Sequence, residues 1–288
     1  MPYIHAREFR IRHYECDAHG RLSPAVYLSY MQEAAFDASA AVGYSAARYE
    51  QLGLRWLAYE TEIHYHHPLH YGDTITLKTW VRDFRRVRSL RDYEFYRDGV
   101  LVAQASTDWV LIDMKAMFPA AIPQDIINAY SQGDPAIPAP PRPPFPPMLP
   151  VPDHAFTLQR RVEWRDLDAA QHVNNAVYVH FALDAERMAL RTAGWEAGQL
   201  QAEGVVFQPQ QFQIEYKVAA TLDDVLEITT WLADVDTSGG NRLFLIRRAA
   251  DNKVLAKLRS RWQAIDAVSG HPAIMPATVY DALARSIP

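Results

Sequence analysis

From Asp17 to Trp80 the chain repeats itself 151 positions downstream without a gap, and a chain that does so builds one fold twice. Asp17 recurs as Asp168, Tyr27 as Tyr178, Gly43 as Gly194, Ile63 as Ile214, Tyr65 as Tyr216, Asp73 as Asp224 and Trp80 as Trp231. After Trp80 the offset is 153, joining Trp109 to Trp262, Asp113 to Asp266, Pro119 to Pro272 and Pro123 to Pro276. One loop therefore differs by two residues. A chain of 288 residues has room for two such copies at roughly 100 to 200 residues per domain.

Between the copies, Gly133 to Asp153 holds ten of the 19 prolines in 21 residues. Proline fixes φ and removes a backbone donor, so this stretch reads as a semi-rigid extended connector. The expected organisation is a first domain over 1–132, a proline-rich linker over 133–153 and a second domain over 154–288.

Each copy has the same order of elements. An opening strand (Glu8 to Tyr14; Thr157 to Trp164) runs into a turn, DAHGRLS in one copy and DAAQHVN in the other. A helix follows, with Ser23 as N-cap, Pro24 at its first position and Gly43 stopping it about five turns later. The matching residues are Asn174, Asn175 and Gly194. Tyr27, Tyr30, Met31, Ala34, Ala38 and Ala41 form an apolar stripe at three- and four-residue spacing, repeated by Tyr178, Phe181, Ala182, Ala185 and Ala189. Alternating runs such as TITLKTWV and VLEITTWL then read as strands. One long helix followed by antiparallel strands predicts a sheet wrapped around a helix, an α+β hotdog, made twice. Pairing of the two sheets within the chain is expected, because it would hide edges that otherwise template aggregation.

Composition sets outer limits. Hydrophobic residues at 49% and charged residues at 22% fit a globular class. No apolar run approaches the roughly 18 residues of a membrane span, and the charged N-terminus lacks an apolar signal core. A cytoplasmic protein is expected, and the single cysteine, Cys16, fits a reducing compartment. A net charge of −5 argues against bulk binding to nucleic acid or to an anionic membrane. GxSxG, P-loop and GxGxxG patterns are absent.

The chemistry concentrates in the turn before the second helix. Asp168 supplies a carboxylate and His172 an imidazole, next to a helix N-terminus near Asn174 and Asn175. The first N–H groups of a helix lack internal partners and carry partial positive charge, so they suit a developing oxyanion. In the first copy Asp17 keeps the carboxylate, but Arg21 replaces His172 and Pro24, with no N–H, replaces Asn175. Asn174 reads equally as a cap and as a substrate contact.

The segments RHYECDAHGRLSPAVYLSYMQEAA and WRDLDAAQHVNNAVYV together resemble the acyl-ACP thioesterase family of plants and bacteria. That resemblance spans nearly all of the chain outside the linker. It implies two hotdogs, an apolar channel for the acyl chain, thioester hydrolysis without metal or organic cofactor, and a place in fatty acid metabolism. Acyl carrier protein is the expected carrier, with acyl-CoA as the alternative and a homo-oligomer left open. It also implies that catalysis sits in the second copy and that the first mainly binds substrate. Where plant members have an asparagine, an acidic residue and a cysteine, this chain has Ala170, Ala219 and Ala220, so Asp168 and His172 alone carry over.

The candidate catalytic set is thus Asp168, His172, Asn174 and Asn175, with Asp17, Tyr27 and Tyr178 as candidate substrate-binding residues. Arg85, Arg86 and Arg88 belong to a basic run, with Arg82 and Arg91, that reads either as a docking patch for an acidic carrier or as a solvated face. His64, His66, His67 and His70 cluster without accompanying carboxylate or cysteine spacing, so no metal is assigned. Two competing functions stay open: a hydratase or dehydratase on the same fold, and an acyl-thioester binding protein without turnover.

Overall fold

The computed structural model describes residues 2–131 and 143–285. The linker's proline-rich core, 133–142, lies outside the described residues. The chain divides into two compact units, Met1–Pro144 and Phe145–Pro288.

In the first unit β1 (His5–Arg10) leads through a 3₁₀ turn (His13–Glu15) to the long helix α1 (Pro24–Ala41) and the short α2 (Ala46–Gln51). Then come β2 (Leu54–Tyr65), β3 (Thr74–Arg85), β4 (Arg88–Arg97), β5 (Val100–Asp113), the short β6 (Phe118–Pro119) and α3 (Gln124–Ser131). The strands order as β1-β3-β4-β5-β2, every pairing antiparallel, with β6 on β5.

The second unit repeats this with β7 (Phe156–Arg161), a 3₁₀ turn (Trp164–Asp166), α4 (Val177–Thr192), α5 (Ala197–Ala202), β8 (Val205–Tyr216), β9 (Val225–Asp236), β10 (Gly239–Arg248), β11 (Val254–Asp266) and α6 (Ala277–Ala284). Its order, β7-β9-β10-β11-β8, is the first unit's order copied. The two-residue change of offset falls in one hairpin, which is Asp98–Gly99 between β4 and β5 but residues 249–253 between β10 and β11. Both opening strands end earlier than the alternation suggested, because the 3₁₀ turns take residues 13–15 and 164–166.

Each sheet closes on its long helix through the predicted stripe. Tyr27, Met31, Ala34 and Ala38 are buried in α1, as are Tyr178, Phe181, Ala182 and Ala185 in α4. The alanines let the backbone approach the sheet, and the tyrosines supply aromatic area. Tyr27 meets Tyr65 edge-on at 5.0 Å and Phe95 at 5.3 Å, while Tyr178 meets Tyr216 at 5.6 Å.

Both helices stop alike. Gly43 and Gly194 adopt φ of +89° and +86°, a conformation that costs glycine nothing. Their N–H groups bond Ala40 O and Arg191 O, and the next residues, Tyr44 and Trp195, bond Ser39 O and Leu190 O. This is a Schellman closure, and it sends Tyr44 and Trp195 back into apolar clusters.

The helix starts differ. α1 begins at Pro24 as expected, although Ser23 holds the N-cap position without a side-chain hydrogen bond. α4 begins only at Val177, two residues after the position of Pro24's counterpart, with Ala176 as N-cap. Proline presets the helical φ at 24; at the matching place Asn174 Oδ1 accepts from Ala176 N at 2.9 Å and holds a turn instead.

Candidate active site

The turn over Asp168–Val173 is a closed loop anchored on both sides. Asp168 N–H donates to His172 O at 2.9 Å, Gln171 N–H donates to Asp168 O at 2.9 Å, and Leu167 bridges Val173. Gln171 takes the left-handed conformation, φ +62°, that this reversal requires. Beyond it Val173 N–H reaches Ala220 O at 2.9 Å, which ties the turn to the segment after β8.

The base of the helix is fixed by two tyrosines. Tyr216 donates to Asn175 O at 2.9 Å, and the Tyr178 hydroxyl accepts from Ala220 N at 3.0 Å. Burial pushes the Tyr178 hydroxyl up to about 12; the Ala220 N–H draws it down, and the charges of Asp224, Arg248 and Asp168 act on it as well. Tyr178 is therefore a buried neutral post beside the turn.

A third tie was not foreseen. Arg248 lies 3.3 Å from Asp224 Oδ2 and donates to Ala219 O, and the first copy repeats both contacts with Arg97 on Asp73 at 2.9 Å and on Pro68 O. Each of these residues has its partner 151 positions away, so the repeat itself carried the signal.

On this common scaffold the reacting groups differ. The half-buried Asp17 accepts from His19 N at 2.8 Å and Arg21 N at 3.0 Å, and its other oxygen lies 3.6 Å from the Arg21 guanidinium. Asp168 accepts from Ala170 N at 2.8 Å, and its second oxygen has no hydrogen bond or ion pair among the described residues. His172 is half-buried, and its ring makes no hydrogen bond among the described residues, to Asp168 or to any other group. The contact between the two residues is backbone to backbone, from Asp168 N–H to His172 O, and the imidazole takes no part in it.

Asn174 has a structural task, since its side-chain oxygen holds Ala176 N. The N–H of Asn175 has no partner among the described residues, while Pro24 has no N–H to offer. The candidate helix-end donor therefore narrows to Asn175, two residues ahead of the helix proper.

The side chains at 219 and 220 are alanines, and Ala220 is fully buried, so neither position supplies an acidic group. The basic run is not one patch. Arg82 makes two 2.6 Å bonds to Asp92, while Arg85 and Arg88 share Asp108 at 2.7 and 3.4 Å. Arg86 is exposed, whereas Arg91 is buried and repeats as Arg242, so Arg91 belongs neither to a docking patch nor to a solvated face. In the histidine cluster, His64 Nε2 lies 3.0 Å from Glu62 Oε1, and His66, His67 and His70 are exposed.

A five-stranded antiparallel sheet around one long helix, made twice in one chain with a carboxylate turn at the head of each helix, defines a tandem hotdog protein. Residues 2–130 match the acyl-ACP thioesterase N-terminal domain, and residues 162–283 match the thioesterase-like superfamily. A palmitoyl-acyl carrier protein thioesterase of Cuphea hookeriana is 23% identical over 279 residues, covering 90% of this chain and 62% of the relative. The chain thus spans about three fifths of the length of such plant relatives. The acyl-CoA thioesterase YbgC of Haemophilus influenzae is 30% identical over 128 residues, 44% of this chain and 93% of that protein. A solved structure from Lactobacillus plantarum, assigned as an oleoyl thioesterase, superposes with a TM-score of 0.80 at 18% identity over 91% of this chain and 96% of that one. The chain belongs to the hotdog thioesterases, and its first half matches the N-terminal domain of the acyl-ACP thioesterases. Among the described residues no helix is long and apolar enough to cross a membrane.

Proposed function

We propose that this chain hydrolyses fatty acyl thioesters, acyl-ACP in preference to acyl-CoA, at the Asp168 turn. The observation that carries the reading is the unequal state of two equivalent carboxylates. Asp17 is saturated by two backbone N–H groups and an arginine, whereas Asp168 keeps one oxygen for chemistry beside His172 and the Asn175 N–H. Asp168 takes a proton from water as the water oxygen adds to the thioester carbonyl. The Asn175 N–H stabilises the oxyanion, which collapses to expel the carrier thiolate; the proton returns to sulfur by way of Asp168 or His172. Free acid and carrier thiol are the products. A positioned general base contributes about 10² to 10⁴ in rate and an oxyanion donor about 10² to 10³, enough for such a site to work without an enzymic nucleophile.

The named activities of the plant acyl carrier protein thioesterases and of the Haemophilus acyl-CoA thioesterase support the same substrate class. The alanines at 219 and 220 favour a second reading, an acyl-thioester binder without turnover. Thiol release from a ladder of acyl-ACP and acyl-CoA substrates separates the two. Free thiol in step with free fatty acid supports hydrolysis; saturable binding without thiol supports the binder, and hydration of an enoyl thioester with the thioester intact would replace both.

A further inference from the structure

The inner, helix-facing side of the first sheet contains a buried cation that the second sheet neutralises and the first does not. Arg91 on β4 is 5% exposed; it donates to Thr79 Oγ1 at 3.3 Å and lies 5.4 Å from the Tyr130 ring centroid, and no carboxylate pairs with it among the described residues. Its repeat, Arg242 on β10, is equally buried and donates to Thr230 Oγ1, the repeat of Thr79, at 3.4 Å. Arg242 also has Glu186 of α4 at 3.5 Å, and the residue 151 positions before Glu186 is Ala35. A buried charge needs a partner or it costs several kcal/mol.

The same side of the first sheet carries further unmet donors. The Tyr93 hydroxyl and Trp109 Nε1 are buried without a well-formed hydrogen bond, their nearest polar neighbours being each other and Thr107. Burial pushes the Tyr93 hydroxyl up to about 12, with the charge of Arg91 and then the side chains of Trp109 and Thr107 drawing it back, so these groups share one locality. Strand register agrees: Arg91 lies opposite Thr107, with Tyr93 opposite Ala105 and Ser89 opposite Trp109. In the second copy Phe244 stands for Tyr93 and Phe212 for Thr61, while Trp262 Nε1, the repeat of Trp109, is likewise buried without a partner, so what sets the first core apart is the tyrosine hydroxyl and the missing carboxylate.

We propose that the inner core of the first hotdog is a carboxylate-binding site, where Arg91, the Tyr93 hydroxyl and Trp109 Nε1 receive an external carboxylate on an apolar body in the role that Glu186 plays in the second. Donors without acceptors select an anion, and the aromatic and aliphatic surroundings select one with an apolar tail. Such a carboxylate has two sources: a free fatty acid, or the distal carboxylate of a dicarboxylic acyl thioester. The second source rests on the proposed thioesterase reading; the first does not.

Calorimetry on the full chain with dodecanoate, and with dodecanol as its uncharged match, tests the site without turnover. Dodecanoate is expected to bind one per chain and at least tenfold more tightly than dodecanol. Arg91→Gln removes the cation, and Ala35→Glu supplies from α1 the carboxylate that α4 already has; both are expected to weaken dodecanoate at least tenfold. Because Ala35→Glu adds a pair and removes none, it keeps the test open if Arg91→Gln fails to fold. The distal source is read from kcat/KM for the CoA monothioester of dodecanedioate against dodecanoyl-CoA, a ratio above one that falls at least tenfold in Arg91→Gln. Dodecanoate bound with no such ratio assigns the site to free acid, and a ratio with weak dodecanoate assigns it to the distal carboxylate; either supports the site. Neither effect, binding of chloride or sulfate alone, or a folded Ala35→Glu that binds dodecanoate like the parent would overturn it. Failure of thiol release alone would overturn the hydrolase reading and leave the dodecanoate result standing.

Discussion

The Asp17 and Asp168 turns share one scaffold and differ in the groups set around the carboxylate. In both copies a tyrosine at the end of a strand holds the carbonyl at the head of the helix, Tyr65 on Pro24 and Tyr216 on Asn175. In both an arginine ties the following loop to an aspartate. What changes is arginine to histidine at 21 and 172, proline to asparagine at 24 and 175, and with them the freedom of the carboxylate. Duplication therefore preserved the frame, and on the proposed reading the chemistry settled on one side. The comparison separates what the fold needs from what a reaction needs, because the first turn shows the frame standing without the reactive set.

The largest expected effect comes from rewriting the second turn as the first. His172→Arg with Asn175→Pro should lower kcat for thiol release by about 10³ or more while leaving the thermal transition in place, since the first copy already tolerates both residues. Retained activity would mean that neither group matters. Asn175→Pro alone removes one N–H and should lower kcat by about 10² with KM little changed; an effect confined to KM would make Asn175 a binding group.

Away from the turns, the buried pair of the second copy should be costly to break. Glu186→Ala leaves Arg242 without its anion and should destabilise the fold by about 3 kcal/mol, seen as a lower denaturant midpoint. Its counterpart Ala35 is already small, so Ala35→Gly should cost only the loss of helix propensity, about 1 kcal/mol. Smallest is the effect of Arg86→Glu. This exposed residue pairs with no carboxylate among the described residues, unlike Arg85 and Arg88, and its reversal should weaken kcat/KM on acyl-ACP about twofold to fivefold at low salt, with acyl-CoA unaffected. Equal loss on both substrates would break the docking role.

Much of the frame was legible in the chain. The 151-residue offset announced two copies, and Gly43 and Gly194 announced the helix ends because only a positive φ closes them this way. The start of α4 was misplaced, since Asn174 and Asn175 look like a cap and a first helical residue while side-chain bonding holds them in a turn. Arg91 was misread for a different reason. Ser89 to Tyr93 on β4 are all buried, so the strand has no exposed face there whose alternation would tell which arginine of the run faces the helix. Asp168 and Asp17 were legible as a pair, but their difference in hydrogen bonding was only half visible: Arg21 and Pro24 could be read, the free oxygen of Asp168 could not.

The central claim is that one of two equivalent carboxylates does the work. The direct measurement is kcat for thiol release from a saturating acyl thioester in Asp168→Asn and Asp17→Asn, each shown by thermal unfolding to be folded. A loss of about 10² or more is expected in Asp168→Asn and a change of less than about fivefold in Asp17→Asn. Equal losses would mean two working sites, and full activity in Asp168→Asn would remove the proposed base.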